Sequence, residues 1–476
     1  MVELSEGLLE LIEGLKEELR PTDEELSKGL ELFEEVKEVI ESLPHIDCDF
    51  KVSLEGSFAK GTSLRGDIDL DVFILLKKED LSSEWIKENI IEQILSSGLK
   101  KYQILMKYAS HPYVTLRTQG FEVDVVPAYW AGDVREIMTP VDRTPFHTRY
   151  VNSKLDSGLR DEVRLLKRFM KNMNIYGAEV RFEGFSGYLT ELLVIKYRSF
   201  IGVLEAMSKW REGEVVVVDV DALRNHLTLD DVKRVFRDDV LIVPDPVDPR
   251  RNAASAVSER TLKIAVVSAC SFLQKPSKSF FYRELKPAEP AELARFIEET
   301  GRKIILLRYA IPHEIPPDVL WGELKRLSKR VVNLLKTYKL EVIDFDYWSD
   351  ESTQALIAID LERGGELPAY EIRLGPPGIG DELHSFIKKH RTSGRATAVW
   401  IARDGLPKAM IRRKYRGSEE LLQATEVRQL SSKDLTLANV IKNCIDIPDD
   451  LKTNTEFMQW LTAFTFKTQP YVTDDV

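Results

Sequence analysis

The sequence predicts an α+β protein of several domains, and three observations carry that expectation. At 476 residues the chain is too long for one hydrophobic core, so about three domains are expected. From Phe50 to Tyr129, short apolar segments of strand length surround one helical stretch, while the segments before and after repeat their apolar residues at helical spacing. Beyond about Pro276 both patterns occur together.

Composition narrows the class. A hydrophobic fraction of 43% and a charged fraction of 30% are those of an ordinary water-soluble globular protein. No apolar run approaches the roughly 18 residues that a membrane-spanning helix needs. The N-terminus has neither the basic region nor the cleavage site of a secretion signal. Cys48, Cys270 and Cys444 lie too far apart for a paired zinc or disulfide framework, so a cytoplasmic protein with reduced thiols is expected. The net charge of −11 would argue against a nucleic-acid binder if it were evenly spread, and it is not. Residues 1–43 hold fourteen Asp and Glu against four Lys and Arg, a net of −10. From Leu383 to Arg416 the balance inverts, with ten Lys and Arg and a single acid, Asp404. Local field, not total charge, guides a polyanion to its site.

In chain order, residues 1–43 read as two acidic amphipathic helices broken at Arg20-Pro21. Thr22 or Asp23 caps the second, whose apolar positions include Leu26, Leu30, Phe33, Val36, Val39 and Ile40. Strands are expected at 51–54, 69–76, 102–108, 113–117 and 121–126, around a helix at 83–95. Helices at 161–173 and 187–201 follow, and helical periodicity persists to about residue 276. Further on, helices are expected near 290–300 and 320–335, and strands near 303–308, 341–346 and 355–361. The Gly/Pro cluster 374–380 separates these from the basic segment and a helical C-terminus.

The strongest chemical signal is Gly56-Ser57-Phe58-Ala59-Lys60-Gly61-Thr62, followed by Gly66-Asp67-Ile68-Asp69-Leu70-Asp71-Val72. Residues two apart in a strand share a face, roughly 6.5–7 Å apart. Asp69 and Asp71 therefore project together, and two carboxylates facing one way repel unless a cation lies between them. Hard oxygen donors of this kind suit Mg²⁺, which binds through a few carboxylates plus substrate phosphates. An isolated Asp-x-Asp is more often the wet start of an edge strand. Two companions reverse that reading: the Gly56-Ser57 turn, whose N–H groups and hydroxyl suit a phosphate chain, and Glu122-Val123-Asp124, a carboxylate on a second apolar strand. Three acids on two strands opposite a phosphate cradle suit two-metal phosphoryl transfer.

Two choices of register arise. Asp67 and Asp69 form an earlier Asp-x-Asp pair; Asp69 and Asp71 are preferred because the apolar run 72–76 begins directly after them, leaving Asp67 as a turn residue. Asp124 is preferred to Glu122 because it lies further into its apolar run.

A glycine–serine pair, eleven residues, Asp-x-Asp, and a later strand Asp resemble the DNA-polymerase-beta-like nucleotidyltransferase superfamily. Within it, His111-Pro112-Tyr113-Val114, Asp142-Arg143-Thr144-Pro145-Phe146-His147, and Glu162-Val163-Arg164-Leu165-Leu166-Lys167 look like the archaeal, class I CCA-adding enzymes. So do Ile175-Tyr176-Gly177-Ala178-Glu179, Gly184-Phe185-Ser186-Gly187-Tyr188, and Asp245-Pro246-Val247-Asp248 leading to Arg251-Asn252. The resemblance is dense from about Val52 to Phe281 and rests on element order beyond that.

The resemblance implies a palm-like α/β nucleotidyltransferase head (1–150), a helical neck forming the nucleotide pocket (151–277), and an α+β body and tail with an RNA-recognition-like sheet (278–476). It implies template-independent addition of C, C and A to the tRNA 3′ end from CTP and ATP, with release of pyrophosphate. Asp69, Asp71 and Asp124 would be catalytic and hold two Mg²⁺ ions. Gly56, Ser57, Lys60, Thr144, His147, Lys167, Tyr176, Ser186 and Arg251 match nucleotide-binding positions, Arg251 being the one that reads the base. The family often has Arg where Lys60 stands, and Lys supplies a point charge without the bidentate fork. Lys388, Lys389, Arg391, Arg395, Arg412, Arg413 and Lys414 are candidates for gripping the tRNA acceptor stem and T arm, and a homodimer is implied.

Several of these residues also have plainer readings. Arg164, Lys167, Arg168 and Lys171 recur at helical spacing, and such a row alone is usually a solvated face. Tyr176 taken alone is as readily a packing residue, Arg251 a surface ion pair, and His111 a turn element.

Overall fold

The computed structural model describes residues 6–44, 46–78, 81–108, 111–118, 120–224, 228–282, 285–426 and 429–471. Contacts divide the chain into two units, one running to residue 284 and taking in the stretch from Pro470, the other Leu285–Gln469.

The first unit opens with helices α1 (Glu6–Leu19) and α2 (Asp23–Glu41), broken at Pro21 as the missing N–H requires. Thr22 is the cap: its hydroxyl accepts from the Glu25 N–H at 3.1 Å, and Glu25 accepts the Thr22 N–H at 2.7 Å. A five-stranded sheet follows, built from β1 (Phe50–Glu55), β2 (Asp69–Leu76), β3 (Gln103–Tyr108), β4 (Pro112–Arg117) and β5 (Glu122–Tyr129) in the order β1-β2-β5-β4-β3. Only the β2–β5 pair is parallel. One face buries Leu70, Val72, Ile74 and Leu76 with Val123 and Val125, beneath Phe33, Val36 and Ile40 of α2 and Ile86, Ile90 and Ile94 of the helical segment 83–96. Fully burying each such side chain contributes roughly 1.5–3 kcal/mol. The strand period of two then sends Asp69, Asp71, Glu122 and Asp124 to the opposite face.

A one-turn helix, α3 (Gly56–Ala59), links β1 towards β2. The longer helices that follow are α4 (Thr144–Lys154), α5 (Ser157–Asn172), α6 (Gly187–Tyr197), α7 (Phe200–Met207) and α8 (Glu259–Gln274). Helicity begins at Thr144, earlier than expected, because Pro145 is tolerated in a first turn. The helix expected at 187–201 is two: Arg198 turns left-handed at φ 68°, and the Ser199 hydroxyl caps α7 by accepting the Gly202 N–H at 3.0 Å. Phe169, Phe200, Phe272, Phe280 and Phe281 form an aromatic core with centroids 5.4–6.1 Å apart. Leu8, Ile12, Leu15 and Leu19 of α1 bury their apolar stripe against the same core.

The second unit centres on an antiparallel sheet of four strands. Their order is Thr436–Ile441, Lys303–Ala310, Gln354–Leu361, Val342–Ser349. Helices Pro290–Glu299 and Thr455–Phe466 cover one face through Leu293, Phe457 and Leu461, which pack on Ile304, Leu306, Leu356 and Ala358. The basic segment, for which no elements were expected, folds as helix Asp381–Thr392 followed by hairpin strands Ala396–Ile401 and Pro407–Arg412, with Tyr370–Leu374 as third strand. Its irregular mix of charges and apolar residues hides the strand period. The whole is a mixed α+β, multidomain protein. Among the described residues no helix is long and apolar enough to cross a membrane.

Candidate active site

Parallel pairing puts Asp71 beside Asp124 and Asp69 beside Glu122, while β1 sets Glu55 opposite Asp71. Asp71 and Asp124 line one cavity of about 220 Å³ with His111, Tyr113, Val141 and Thr144. Burial first, then the neighbouring Asp124 and Asp69, push the Asp71 carboxyl up to about 7 against the pull of Lys60 and Lys167. Burial also raises Asp69, with Asp67, Glu122 and Asp124 adding to it. Asp124 is raised by burial even though Thr115 donates a hydrogen bond to it. Neither Asp69 nor Asp71 has a hydrogen-bond or ion-pair partner among the described residues. Glu122, by contrast, pairs with Arg117 at 2.7 Å, and Asp67 with Lys171. Among the described residues no three His, Cys, Asp or Glu side chains are gathered closely enough to hold an ion unaided.

The Gly-Ser turn packs directly on this face. Gly56 has φ +69°, and a Cβ there would lie 1.7 Å from Oδ2 of Asp71, so only glycine admits the carboxylate. The Ser57 hydroxyl is 3.1 Å from that of Ser63. Arg164, buried on α5, clamps the loop by donating to the carbonyls of Gly61 at 2.5 Å and Ser63 at 2.9 Å. The Lys60 ammonium donates to Glu191 of α6 at 2.6 Å, and the Thr62 hydroxyl donates to the other Glu191 oxygen at 2.7 Å. Lys167 donates to the Thr62 carbonyl at 3.1 Å, and burial pulls its ammonium below the ordinary range. The cationic row on α5 is therefore no solvated face: Arg164 and Lys167 are buried, and Arg168 donates to the Phe281 carbonyl at 2.8 Å. Tyr176 lies under Lys171, 5.4 Å from ammonium to ring, with its hydroxyl against Gly187. Ser186 caps α6, accepting the Leu189 N–H at 3.1 Å.

A second cluster turns on Asp245, which the sequence marks only as part of the motif Asp245-Pro246-Val247-Asp248. Its fully buried carboxylate meets His147 Nε2 at 2.9 Å, the Tyr188 hydroxyl at 2.9 Å, the Val247 N–H at 2.9 Å and Arg251 at 3.0 Å. The His147 ring stacks on Tyr188 with centroids 3.8 Å apart. Arg251 is thus aimed by an ion pair that leaves about a third of its side chain, 36%, exposed. Burial opposes the charge on Asp245, but His147, the Val247 N–H and Arg251 overcome it and hold the carboxyl at about 2. A depressed acid contributes stability above its unfolded value near 3.9, and that contribution is lost as pH falls through about 2. Asp245→Asn should therefore cost roughly 2–4 kcal/mol in urea unfolding at pH 7. The difference from the parent should shrink below about pH 3. A variant as stable as the parent at pH 7 would refute this account.

In the second unit, Lys389, Arg395, Arg412, Arg413 and Lys414 line a cleft of about 1440 Å³ with Tyr338, Tyr370 and Tyr415. Lys388 and Arg391 do not line it. Glu371 engages Lys339 at 3.2 Å, Arg373 at 2.8 Å and Arg413 at 3.3 Å. Lys389, Arg395 and Arg412 have no acidic partner among the described residues.

Three family models match the chain in succession: a nucleotidyltransferase domain at residues 34–147, the second domain of tRNA nucleotidyltransferases at 161–282, and the C-terminal domain of CCA-adding enzymes at 300–450. The CCA-adding enzyme of Saccharolobus shibatae is 38% identical over 83% of this chain and 87% of its own. That of Sulfurisphaera tokodaii is 34% identical over 86% and 93%, and that of Aeropyrum pernix 38% over 78% and 76%. With the family models tiling both units and relatives aligned along most of their length, the chain belongs to the CCA-adding enzymes and is a tRNA nucleotidyltransferase.

Proposed function

We propose that this enzyme completes the tRNA 3′ end by adding C, C and A from CTP and ATP without a nucleic-acid template. The 3′-hydroxyl attacks the α-phosphorus of the bound nucleotide, the bond to the bridging oxygen breaks, and pyrophosphate leaves. The observation that carries this reading is Asp71 and Asp124 in parallel register, lining one cavity with the Gly56-Ser57 turn packed against Asp71.

Asp69, Asp71 and Asp124 would hold two Mg²⁺ ions. The residues fit such ions: hard oxygen donors crowd one face, two of them lack partners among the described residues, and Asp71 resists ionising without a cation. Bound there with substrate phosphates, the ions would neutralise charge developing on the attacking and departing oxygens. Ser57, Lys60 and Lys167 would take the triphosphate, Gly56 letting the loop lie close to the acids. Tyr176 and Ser186 would flank the ribose, and Thr144 and His147 would bound the nucleotide between head (1–150) and neck (151–277). Arg251, aimed by Asp245, would donate to acceptors present on both cytosine and adenine.

Residues 278–476 would hold the tRNA acceptor stem and T arm, and the working form would be a homodimer in the cytoplasm. Lys389, Arg395, Arg412 and Lys414 would contact backbone phosphates. Arg413, engaged by Glu371, would shape the cleft. Arg395→Ala with Arg412→Ala should weaken tRNA binding at 50 mM salt and lower the log–log salt slope by about 1–2, with KM for CTP unchanged. Filter binding across salt concentrations reads both, and an unchanged slope would remove these residues from the interface.

The function itself is tested by incubating the enzyme with tRNA lacking CCA and each labelled nucleotide. Addition of two C residues from CTP and one A from ATP is expected. Homopolymer tails or free oligonucleotides would overturn it.

A further inference from the structure

Glu191 is a carboxylate inside the buried stretch 189–194 of α6. Its neighbours on α6, Leu189, Leu192, Leu193 and Val194, are fully buried, and so is Glu191 itself. Burying an ion costs several kcal/mol unless opposite charge and hydrogen bonds compensate. Here both oxygens are used, one by the Lys60 ammonium at 2.6 Å and the other by the Thr62 hydroxyl at 2.7 Å. A hydroxyl has one proton; having given it to Glu191, Thr62 turns a lone pair towards Lys167, whose ammonium lies 3.4 Å away and also reaches the Thr62 carbonyl. One carboxylate thus orients two buried cations, from the loop and from α5, that converge on the side of Asp71.

We propose that Glu191 is a positioning residue for the nucleotide triphosphate: it holds the ammonium groups of Lys60 and Lys167 inside the protein, charged and aimed, so that they meet the phosphate chain already ordered. This rests on the reading of those lysines as phosphate contacts. Without the Glu191 carboxylate, Lys60 loses its ion-pair partner and the Thr62 hydroxyl loses the acceptor that orients it, so neither ammonium is held in place. The triphosphate would then meet lysines that must be ordered as it binds.

Glu191→Gln keeps the shape and removes the charge: its carbonyl oxygen can still accept from Lys60, so what is lost is the ion pair. Steady-state kinetics should show KM for CTP and for ATP raised about tenfold or more, with kcat and KM for tRNA within about threefold of the parent. Glu191→Asp, which retains the charge on a shorter stem, should give an intermediate KM with a Tm close to the parent, and it serves as the readout if the glutamine variant folds poorly. Lys60→Ala and Lys167→Ala are measured alongside. A raised KM in the lysine variants with an unchanged or lowered KM in both Glu191 variants overturns this proposal alone. Unchanged KM in all four overturns the reading of the lysines as well. A loss confined to kcat and Tm marks Glu191 as a packing residue and overturns the proposal.

Discussion

Replacing Asp71 with asparagine is expected to lower the rate of nucleotide addition by at least about 10³-fold while raising, not lowering, thermal stability in EDTA at neutral pH. The two effects share a cause. A carboxylate placed on a buried face beside Asp124 and Asp69 is costly to ionise, and its carboxyl is pushed up to about 7. The folded state thus favours the protonated acid. Stability from this group is full below its unfolded value, roughly 3.9, and declines as pH rises through about 7. Asparagine has no charge to bury, so the Tm advantage of the variant should grow across that window. Added Mg²⁺ should reverse the ranking, stabilising the parent by binding and leaving the variant unmoved. Single-turnover addition of CMP to tRNA and a thermal melt at several pH values measure both. Activity within tenfold of the parent would sink the assignment; a variant inactive because its Tm collapses would show the residue to be structural.

What was legible in the sequence was what local period encodes. Asp69, Leu70, Asp71, Val72 announce opposite faces because a strand alternates, and the burial of Leu70 and Val72 follows that rule. The cap was narrowed to Thr22 or Asp23, of which the structure uses Thr22, and the break at Pro21 was equally readable from its missing N–H. Partners distant in sequence were not. Lys60 and Glu191 are 131 residues apart, and His147 and Asp245 are 98 apart. No spacing rule connects them, and so the row Arg164, Lys167, Arg168, Lys171 looked like a solvated face when read alone. The one available hint was chemical: a glutamate within Leu189-Thr190-Glu191-Leu192-Leu193 stands among residues that demand burial, which signals a charged partner elsewhere. The cleft-lining cations at 395–414 could not be sorted from their neighbours because Glu371, which engages Arg413, belongs to a strand paired only through the fold.

Gly56→Ala is the sharpest test of how the loop and the acids fit together, and its outcome should contrast with that of Asp71→Asn. Two costs add. At φ +69° an alanine pays the left-handed penalty, about 1–2 kcal/mol. Its Cβ would also stand 1.7 Å from Oδ2, 2.5 Å from Cγ and 3.0 Å from Cβ of Asp71, so one side must move. The loop cannot retreat freely: Glu55 before it is paired with Asp71 across β1 and β2, and Arg164 holds the carbonyls of Gly61 and Ser63 behind it. The carboxylate is therefore the part that swings away. A displacement of about 1 Å at a reacting centre costs on the order of 10² in rate, so kcat should fall by at least that factor. Tm should fall by several degrees, opposite in sign to the asparagine variant. A double-mutant cycle with Asp71→Ala separates the two costs. Truncating Asp71 removes the 1.7 Å and 2.5 Å contacts and leaves the backbone penalty with the tight 3.0 Å approach to the retained Cβ, so the stability lost on Gly56→Ala should shrink in that background towards the left-handed cost. Equal losses in the two backgrounds would mean that the loop, not the carboxylate, yields, and that close packing of Gly56 on Asp71 does not hold the acid in position.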